Sequence, residues 1–309
     1  MKLKMKFGPS PSLAASITWA ASKQTYYTVR LLVDRERVPD AYRAYAYFRW
    51  LDDRLDLELG DEAERIAFVD RQRQLLKDCY RGMRPARPGP EEGMLVELVC
   101  GDWEVESGLQ AYLRNMMAVM AFDAQRRGRL VSKDELGEYT RCLAIAVTEA
   151  LHYFVGYGCH TPRSEARYLA ASGAHITHML RDTLEDTAAG YYNIPREYLE
   201  AHAIGPEDVC SQAYRAWVES RIQTARTCFA AGKRYLAQIP NLRCRIAGHA
   251  YIARFEGVLD AIEREGCRLR ADYSDCTNPR AGIKLGWEVL WSALRHLPAS
   301  PGSLALPAK

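Results

Sequence analysis

Two short stretches of this sequence carry acidic side chains at helical spacing. In the second stretch, His175, His178, Asp182 and Asp186 follow one another at intervals of three or four residues. These intervals place all four side chains on one face of an α-helix. Two carboxylates four residues apart on one face repel each other, so an isolated helix gains no stability from them. The pattern therefore indicates a cation, or a surrounding that supplies positive charge, next to this face.

The first stretch repeats the acidic spacing much earlier in the chain. Asp52 and Asp56 again lie four residues apart, and Arg49 and Tyr45 precede them by about one and two turns. The surrounding positions are mostly aromatic or aliphatic, which predicts a helix that is buried on most sides. Carboxylates on such a helix are costly unless they are paired, protonated or bound to a metal. This raises the functional interest of Asp52 and Asp56.

The ligand chemistry of these residues favours a hard divalent cation. Carboxylate oxygens suit Mg²⁺ or Mn²⁺, and Mg²⁺ usually combines a few protein carboxylates with phosphate oxygens of a substrate. A single DxxxD pattern is more often a solvated helix face. Two such patterns, one on an aromatic helix and one beside histidines and an arginine, favour a site instead. Two acidic pairs that face each other across a cavity could hold a diphosphate through metal ions.

The elements that must position these residues are helices, because apolar residues recur at helical spacing almost throughout. Predicted helices cover residues 22–32, 41–57, 61–80, 94–99, 109–125, 136–157, 165–189, 196–201, 206–239, 243–265 and 279–296. We find no alternating strand pattern, glycine-rich phosphate loop, GxSxG motif or internal repeat. We therefore predict an all-α, single-domain protein. Residues 1–20 are predicted to be a flexible N-terminal segment, 21–297 the helical domain, and 298–309 a disordered tail.

Composition limits the class of protein. The formal charge is +3 over 309 residues and 48% of the residues are hydrophobic, which suits a globular core and gives no indication of nucleic-acid binding. The nine cysteines form no CxxC pair, which is typical of reduced thiols in a cytosolic protein. The basic N-terminus is interrupted by Gly8 and Pro9 and does not favour a signal peptide. No stretch reaches the ~20 apolar residues of a membrane span. We expect a cytoplasmic protein.

The two acidic stretches resemble the motifs of a known enzyme family. Residues 45–56 are similar to the aromatic–Arg–DDxxD segment of the squalene/phytoene synthase family, and residues 180–195 are similar to its RDxxED…G…P segment. Ser22 and Lys23 match its early Ser-Lys pair, while residues 120–123 and 135–139 match weaker positions. The resemblance covers roughly residues 20–290. The order and spacing of the two acidic motifs make it specific.

This resemblance implies an isoprenoid-synthase-type helical bundle around a central cavity, with both acidic motifs at the cavity mouth. It implies that prenyl diphosphates are held there by Mg²⁺, with Mn²⁺ as an alternative; no signature indicates NADPH. The implied metal ligands are Asp52, Asp56, Asp182 and Asp186, with Glu185 as a further candidate. The implied substrate contacts are Lys23, Arg49 and Arg181; Tyr45, His175 and His178 are added as candidate contacts because each shares a helix face with an acidic pair. Tyr139 would line the cavity near the reacting carbons, and it joins the four aspartates in the implied catalytic set.

The sequence also departs from the family pattern inside this site. The family usually has Gln and Asn where this chain has His175 and His178, and that Asn helps to bind metal. After Gly190 the family commonly has Arg-x-Tyr, whereas this chain has Tyr-Tyr-Asn. A lone buried histidine is more often a core residue than a ligand. Because both histidines share a face with two aspartates, we expect them to bind metal or to donate to diphosphate; a zinc or iron site is a further alternative. His152 and His160 lack such neighbours and are predicted to be structural.

These observations predict a Mg²⁺-dependent prenyltransferase that condenses two prenyl diphosphates, with a squalene-, presqualene- or phytoene-type product. One alternative is a terpene synthase or phosphohydrolase that acts on one prenyl diphosphate with the same scaffold. The other is a non-catalytic lipid-binding member of the family, which retention of all four motif aspartates argues against. Because products of this class are insoluble in water, we also expect loose association with a membrane. The sequence carries no signal for a particular oligomeric state or substrate chain length.

Overall fold

The computed structural model describes residues 11–156 and 161–273, and within these ranges the regular structure is helical, without a β-strand. The α-helices are α1 (Pro11–Ala21), α2 (Lys23–Leu32), α3 (Val38–Asp53), α4 (Glu62–Tyr80), α5 (Pro90–Gly101), α6 (Gly108–Arg126), α7 (Lys133–Phe154), α8 (Ala166–Ala188), α9 (Arg196–His202), α10 (Gln212–Leu236) and α11 (Leu242–Arg264). A 3₁₀ turn covers Arg35–Arg37, and a π-helical turn covers Arg54–Glu58. The all-α prediction is confirmed for the described residues.

Helix starts follow the local side-chain chemistry. The hydroxyl of Ser132 accepts a hydrogen bond from the backbone N–H of Glu135, whose carboxylate accepts one from the N–H of Ser132. This reciprocal pair satisfies two helix donors that would otherwise lack partners, and it fixes the start of α7. Ser22, Ser107, Ser211 and Asn241 cap α2, α6, α10 and α11 in the simpler one-bond form.

Helix α3, which carries the first acidic motif, is buried on most sides. Its side chains Tyr47 and Leu51 are fully enclosed. The Tyr47 hydroxyl donates to Gln72 on α4 at 3.0 Å, so this buried polar group has a partner. The Tyr112 hydroxyl on α6 donates to the carbonyl oxygen of Ala44 at 3.2 Å. These contacts to α4 and α6 fix the rotation of α3 and leave the motif aspartates on its more open side.

The helix pairs that pack against each other close into a ring. Helix α3 packs on α5, α5 on α4, α4 on α6, α6 on α7 and α7 on α8; α8 packs on α11, α11 on α2, and α2 on α3. Helix α1 lies on α2 and α3, and α10 covers α8 and α11. Helices α3 and α8 therefore occupy different parts of one ring, and the residues joining their motifs come from α6, α7 and the segment after α8.

Four predicted boundaries differ from the structure by four residues or more. Residues 11–20 were expected to be flexible, but they belong to α1, where Ala14 and Thr18 are buried. Helix α5 begins at Pro90 rather than residue 94, because proline is well accommodated at a first helical position. Helix α3 ends at Asp53 rather than Leu57, and α10 begins at Gln212 rather than residue 206. The predicted helix over 279–296, the tail over 298–309 and His160 lie outside the described residues.

Two further sequence-based expectations concern membrane spans and cysteines. In the described ranges, no helix is both long enough and apolar enough to cross a membrane. The seven cysteines that lie within the same ranges are all free thiols.

Candidate active site

The first acidic motif carries excess negative charge and ends in a π-helical turn. Arg49 donates to Asp52 at 3.3 Å and to Asp53 at 2.5 Å. Burial and the nearby charge of Asp56 raise the pKa of Asp52 to about 7, against the opposing effect of Arg49. Asp56 lies in the π-helical turn, where the N–H of Leu59 donates to the carbonyl oxygen of Arg54. Such π turns are frequently found at functional sites. The carboxylates of the motif therefore carry more negative charge than Arg49 offsets.

The second acidic motif lies on α8 and holds its two carboxylates in different states. Arg181 donates to both oxygens of Asp182, at 2.6 and 2.8 Å, and His178 Nε2 lies 2.9 Å from the same carboxylate. Burial disfavours the charge of Asp182, but the hydrogen bonds from Arg181 and His178 outweigh it and lower the pKa of Asp182 well below its usual range. Burial, followed by the charge of Asp182, raises the pKa of Asp186 to about 6.

A set of five residues, which we call the polar bridge, joins the two motifs: Asp123, Arg126, Tyr139, Tyr191 and Asn193. On the side of the first motif, the Tyr191 hydroxyl donates to Asp56 at 2.9 Å. On the side of the second motif, Asn193 donates to Asp186 at 2.6 Å. The acidic pairs, far apart in the chain, are thus connected through one short segment after α8.

Arg126 is the centre of the polar bridge. Its guanidinium donates to Asp123 at 2.6 Å and to the side-chain oxygen of Asn193 at 2.9 Å. The same group lies 4.9 Å from the ring centres of both Tyr139 and Tyr191, in cation–π geometry. The Tyr139 hydroxyl donates to Asp123 at 3.1 Å. Arg126 is only 6% exposed, so its charge acts on Asp123 and Asp186 with little screening by water.

Backbone contacts hold the segment after α8 in place. Gly190 has φ +88, a conformation that favours glycine, and a Cβ there would come within 3.3 Å of the backbone nitrogen of Gly128. The N–H of Gly128 donates to the carbonyl oxygen of Gly190 at 2.7 Å, and the N–H of Arg196 donates to Val131 at 2.8 Å. The loop after α6 and the segment after α8 are therefore joined along their length, which positions Tyr191 and Asn193.

His175 occupies the buried end of the α8 motif. The side chain is 6% exposed, and its ring lies edge-on to Tyr139 with 4.9 Å between ring centres. Neither ring nitrogen has a hydrogen-bond partner among the described residues. Leaving a buried polar atom without a partner costs about 1–3 kcal/mol. Burial, with smaller contributions from His178, Arg126 and Arg221, lowers the pKa of His175 to about 3, so the ring is neutral.

Three other predicted site residues stand apart from the polar bridge. Lys23 is exposed at the start of α2, where its ammonium group lies 5.6 Å from the Trp19 ring centre. Tyr45 is half-buried on α3 and interacts electrostatically with Arg49. Glu185 is exposed, and its charge acts on Arg181. The other predicted site residues are close to the motifs or belong to the polar bridge. Arg49 contacts Asp52, and both His178 and Arg181 contact Asp182. Tyr139 is part of the polar bridge, and the His175 ring packs against it.

Two arginines near α8 were not singled out from the sequence. Arg254 on α11 is close enough for its charge to interact with Arg181 and Asp182, and burial lowers its pKa. Arg221 on α10 has its pKa lowered by burial and acts on His175. Within the described residues neither side chain forms an ion pair. No carboxylate in the described ranges is thus paired with either guanidinium group, and only the packing of α10 and α11 against α8 reveals this.

The model of one protein family matches most of this chain. The match to "Squalene/phytoene synthase" covers residues 20–292. The chain belongs to the squalene/phytoene synthase family. Members of this family transfer prenyl groups. The predicted family resemblance is thereby confirmed.

Individual relatives of this squalene/phytoene synthase family protein are distant. A chloroplastic phytoene synthase from an Oncidium hybrid cultivar is 27% identical over 254 residues, which cover 78% of this chain and 58% of the relative. Presqualene diphosphate synthase from Zymomonas mobilis is 29% identical over 200 residues, which cover 63% of each chain. The aligned part thus spans less than two thirds of either curated relative.

A solved structure supports the fold. The squalene synthase from Alicyclobacillus acidocaldarius matches with a TM-score of 0.67 at 21% identity, covering 84% of this chain and 95% of that one. The predicted isoprenoid-synthase-type bundle is confirmed by this likeness.

Proposed function

We propose that this protein is a Mg²⁺-dependent prenyltransferase that condenses two prenyl diphosphates head to head. The observation that carries the proposal is the convergence of two acidic pairs on one polar bridge. Asp52 and Asp186 have raised pKa values within that arrangement, with desolvation and a neighbouring carboxylate as the causes. Each pair is therefore a place where added positive charge lowers the free energy. A metal-bound diphosphate supplies that charge together with an anion for the nearby arginines.

The carboxylates fit a hard divalent cation. Asp52 and Asp56 would hold the metal on one side, and Asp182 and Asp186 on the other. Among residues 11–156 and 161–273, no group of three or more His, Cys, Asp and Glu side chains is arranged to hold an ion alone. In this proposal two carboxylates at each motif suffice, because Mg²⁺ often completes its coordination with substrate oxygens. Bound Mg²⁺ supplies positive charge that stabilises the departing diphosphate.

Cationic side chains around α8 provide the remaining diphosphate contacts in this proposal. Arg254 lacks an ion-pair partner among the described residues, and it lies close enough to Arg181 for the two charges to repel. Binding of a diphosphate between them would remove that repulsion. Arg49 can serve the first motif in the same way, since its side chain is 41% exposed. Lys23 would have to approach from α2.

Aromatic residues beside the polar bridge suit the cationic stage of the reaction. The rings of Phe122 and Tyr139 lie 5.0 Å apart, and Tyr139 also contacts His175. An allylic carbocation requires surroundings that exclude water and offer the negative face of aromatic rings. Tyr139 is held in place by its hydrogen bond to Asp123, so its ring can stabilise charge without reorganising.

Incubation of the purified protein with geranyl, farnesyl and geranylgeranyl diphosphates and Mg²⁺ tests the proposal, with products extracted for mass spectrometry. We expect a hydrocarbon or diphosphate that contains two prenyl chains. Asp52→Asn and Asp182→Asn should each lower turnover at least ~100-fold, since loss of a metal carboxylate removes several kcal/mol of transition-state stabilisation. Addition of EDTA should have the same effect as either substitution. Asp70→Asn is the control, because Asp70 is an exposed aspartate in a surface ion pair.

The products also distinguish the alternatives. Alcohols or cyclised compounds that contain one chain would indicate a terpene synthase or phosphohydrolase and would contradict condensation. Wild-type rates in both site variants would show that the aspartates are not catalytic. We further propose that the enzyme is cytoplasmic and associates loosely with membranes, because its hydrocarbon product is insoluble in water; sedimentation with phospholipid vesicles tests this.

A further inference from the structure

A groove on the surface of the protein lies between the C-terminal half of α4 and the N-terminal half of α6. Its volume is about 430 Å³, within the range of small-ligand sites. The apolar part of its lining is formed by Leu76, Tyr80, Met117 and Ala118. The polar part is formed by Arg73, Lys77, Arg81, Gln110 and Arg114. Four of these nine residues are cationic, and among the described residues no carboxylate lines the groove.

The positive charge of the groove is largely unneutralised. Of its four cationic side chains, Arg73 forms an ion pair, with Asp70 at 3.1 Å. Lys77, Arg81 and Arg114 are exposed, and within residues 11–156 and 161–273 they form no ion pair. Like charges around one groove repel each other, so an anion bound between them lowers the free energy. The apolar lining below these charges suits a ligand that carries an apolar body behind its anionic group.

The groove is separate from the acidic motifs. Arg114, which lines it, precedes Asp123 of the polar bridge by nine residues, roughly 13 Å along α6. Helix α6 therefore carries the groove on its first half and the polar bridge at its C-terminal end. Substitutions in the groove leave the acidic motifs and the polar bridge unchanged, so the groove can be tested independently of them.

The loop between α5 and α6 exposes apolar side chains beside the groove. The Tyr80 hydroxyl donates to Asp102 at 3.0 Å, which attaches the start of this loop to the groove lining. In the loop, Trp103 and Val105 are 89% and 90% exposed, and Met83, just after α4, is also exposed. Tryptophan is enriched at membrane–water interfaces, and apolar side chains next to basic ones suit an anionic bilayer surface.

We propose that this face of the protein docks on an anionic bilayer, with the phosphate of a phospholipid in the groove and Trp103 and Val105 in the interfacial layer. The inference rests on the membrane association proposed above and supplies a surface for it. The loop also carries the exposed acids Glu104 and Glu106, so its own charge does not attract anionic lipids. The groove therefore provides the electrostatic attraction, and the loop provides the apolar contact.

The test measures binding of the purified protein to vesicles by sedimentation. Vesicles of phosphatidylcholine alone are compared with mixed vesicles of phosphatidylcholine and phosphatidylglycerol, and wild type should bind the mixed vesicles more tightly. Lys77→Gln/Arg114→Gln should bind the mixed vesicles at least about tenfold more weakly than wild type, because each basic group near an anionic surface strengthens binding by about fivefold. Added salt should weaken wild-type binding in the same direction.

The matched control is Lys133→Gln/Arg234→Gln, which changes the net charge equally at exposed positions on α7 and α10. Its binding should stay within about twofold of wild type, because charges more than a Debye length from the membrane are screened. Tryptophan fluorescence gives a second measurement. The emission of wild type should shift to shorter wavelength on mixed vesicles, and most of this shift should be absent in Trp103→Phe.

The other outcomes have definite meanings. Equal losses in the two double variants, or equal wild-type binding to both kinds of vesicle, would overturn the role of the groove. Binding of monomeric dihexanoyl phosphatidylglycerol as tight as that of mixed vesicles would show that the groove takes a free amphiphile and would overturn docking on a bilayer. Retention of single-stranded RNA by wild type but not by Lys77→Gln/Arg114→Gln would likewise contradict a lipid ligand.

Absence of wild-type binding to every vesicle would overturn the proposed membrane association and this inference together. Prenyl transfer is measured separately with Mg²⁺ and prenyl diphosphates in the absence of vesicles. A failure of the proposed reaction is therefore distinguishable from a failure of membrane docking.

Discussion

Replacement of Arg126 by methionine should destabilise the protein far more than loss of an ordinary ion pair. The side chains of Arg126 and Asp123 are only 7% and 17% exposed, and Arg126 also serves Asn193. Removing one partner of a buried pair leaves an uncompensated charge and costs about 3–5 kcal/mol. With about 2.1 cal/mol/K of unfolding entropy per residue and 309 residues, this corresponds to a fall of roughly 5–8 °C in Tm.

Protonation of Asp123 gives this prediction a pH dependence. Burial raises the pKa of Asp123, and Arg126 opposes the rise, so the pKa should climb further in Arg126→Met. The variant can then reduce its loss by binding a proton, and the destabilisation should grow as pH rises. For the same reason, Arg126→Met/Asp123→Asn should be more stable than Arg126→Met alone, by about 1–2 kcal/mol.

Equilibrium unfolding in urea, followed by circular dichroism, measures these differences. The control is Arg141→Met, which removes a two-bond arginine–carboxylate pair whose side chains are 58% and 59% exposed. Its cost should stay below about 1 kcal/mol, as for other exposed pairs. If Arg126→Met costs no more than Arg141→Met, or if the Asp123 substitution brings no recovery, Arg126 is not the electrostatic centre that we describe.

Two further predictions concern stability. Burial lowers the pKa of His152 from 6.5 to about 4, so between these pH values the unfolded chain binds more protons than the folded protein. Wild type should therefore lose stability as pH falls through this window, and His152→Gln should remove up to about 3 kcal/mol of that loss. Urea titrations in which the stability of wild type and variant changes in parallel with pH would contradict this prediction. Gly190→Ala should destabilise the protein by about 1–2 kcal/mol, because φ at Gly190 is +88. Gly137→Ala is the control: Gly137 lies on the exposed face of α7 with open space around it, so this substitution should stabilise the protein by about 0.5–1 kcal/mol. Equal Tm shifts for the two variants would show that the Gly190 backbone is not restrictive.

The parts of this molecule that were predictable are those encoded by local spacing. Apolar periodicity predicted a helix over 136–157, three residues later at each end than α7, and the four-residue spacing of Asp182 and Asp186 predicted a shared face on α8. Arg126 shows where such reasoning ends. In sequence it belongs to a basic turn and looks exposed, yet it is buried at the end of α6. Its burial depends on Asn193 and Tyr191, which approach only after α8 has packed.

The segment after α8 also makes contacts that could not be predicted from sequence. Tyr191 and Asn193 stand where the family pattern differs, and from sequence alone they marked only a departure. In the structure their side chains reach Asp56 and Asp186. No periodicity signals a contact between residues 135 positions apart, such as that between Asp56 and Tyr191. Long-range pairings of this kind follow from topology, which local propensity does not determine.

The joining of the loop after α6 to the segment after α8 also has a consequence for biosynthesis. A nascent chain that ends before Gly190 contains Asp52, Asp56 and Arg126 but has no partner for the N–H of Gly128. Chains of this size usually fold through partly structured intermediates with exposed apolar surface. The polar bridge therefore cannot form before the segment after α8 has left the ribosome. In the finished protein, the amides of Gly128 and Arg196 should exchange with deuterated water at the same rate, as reporters of one cooperative opening.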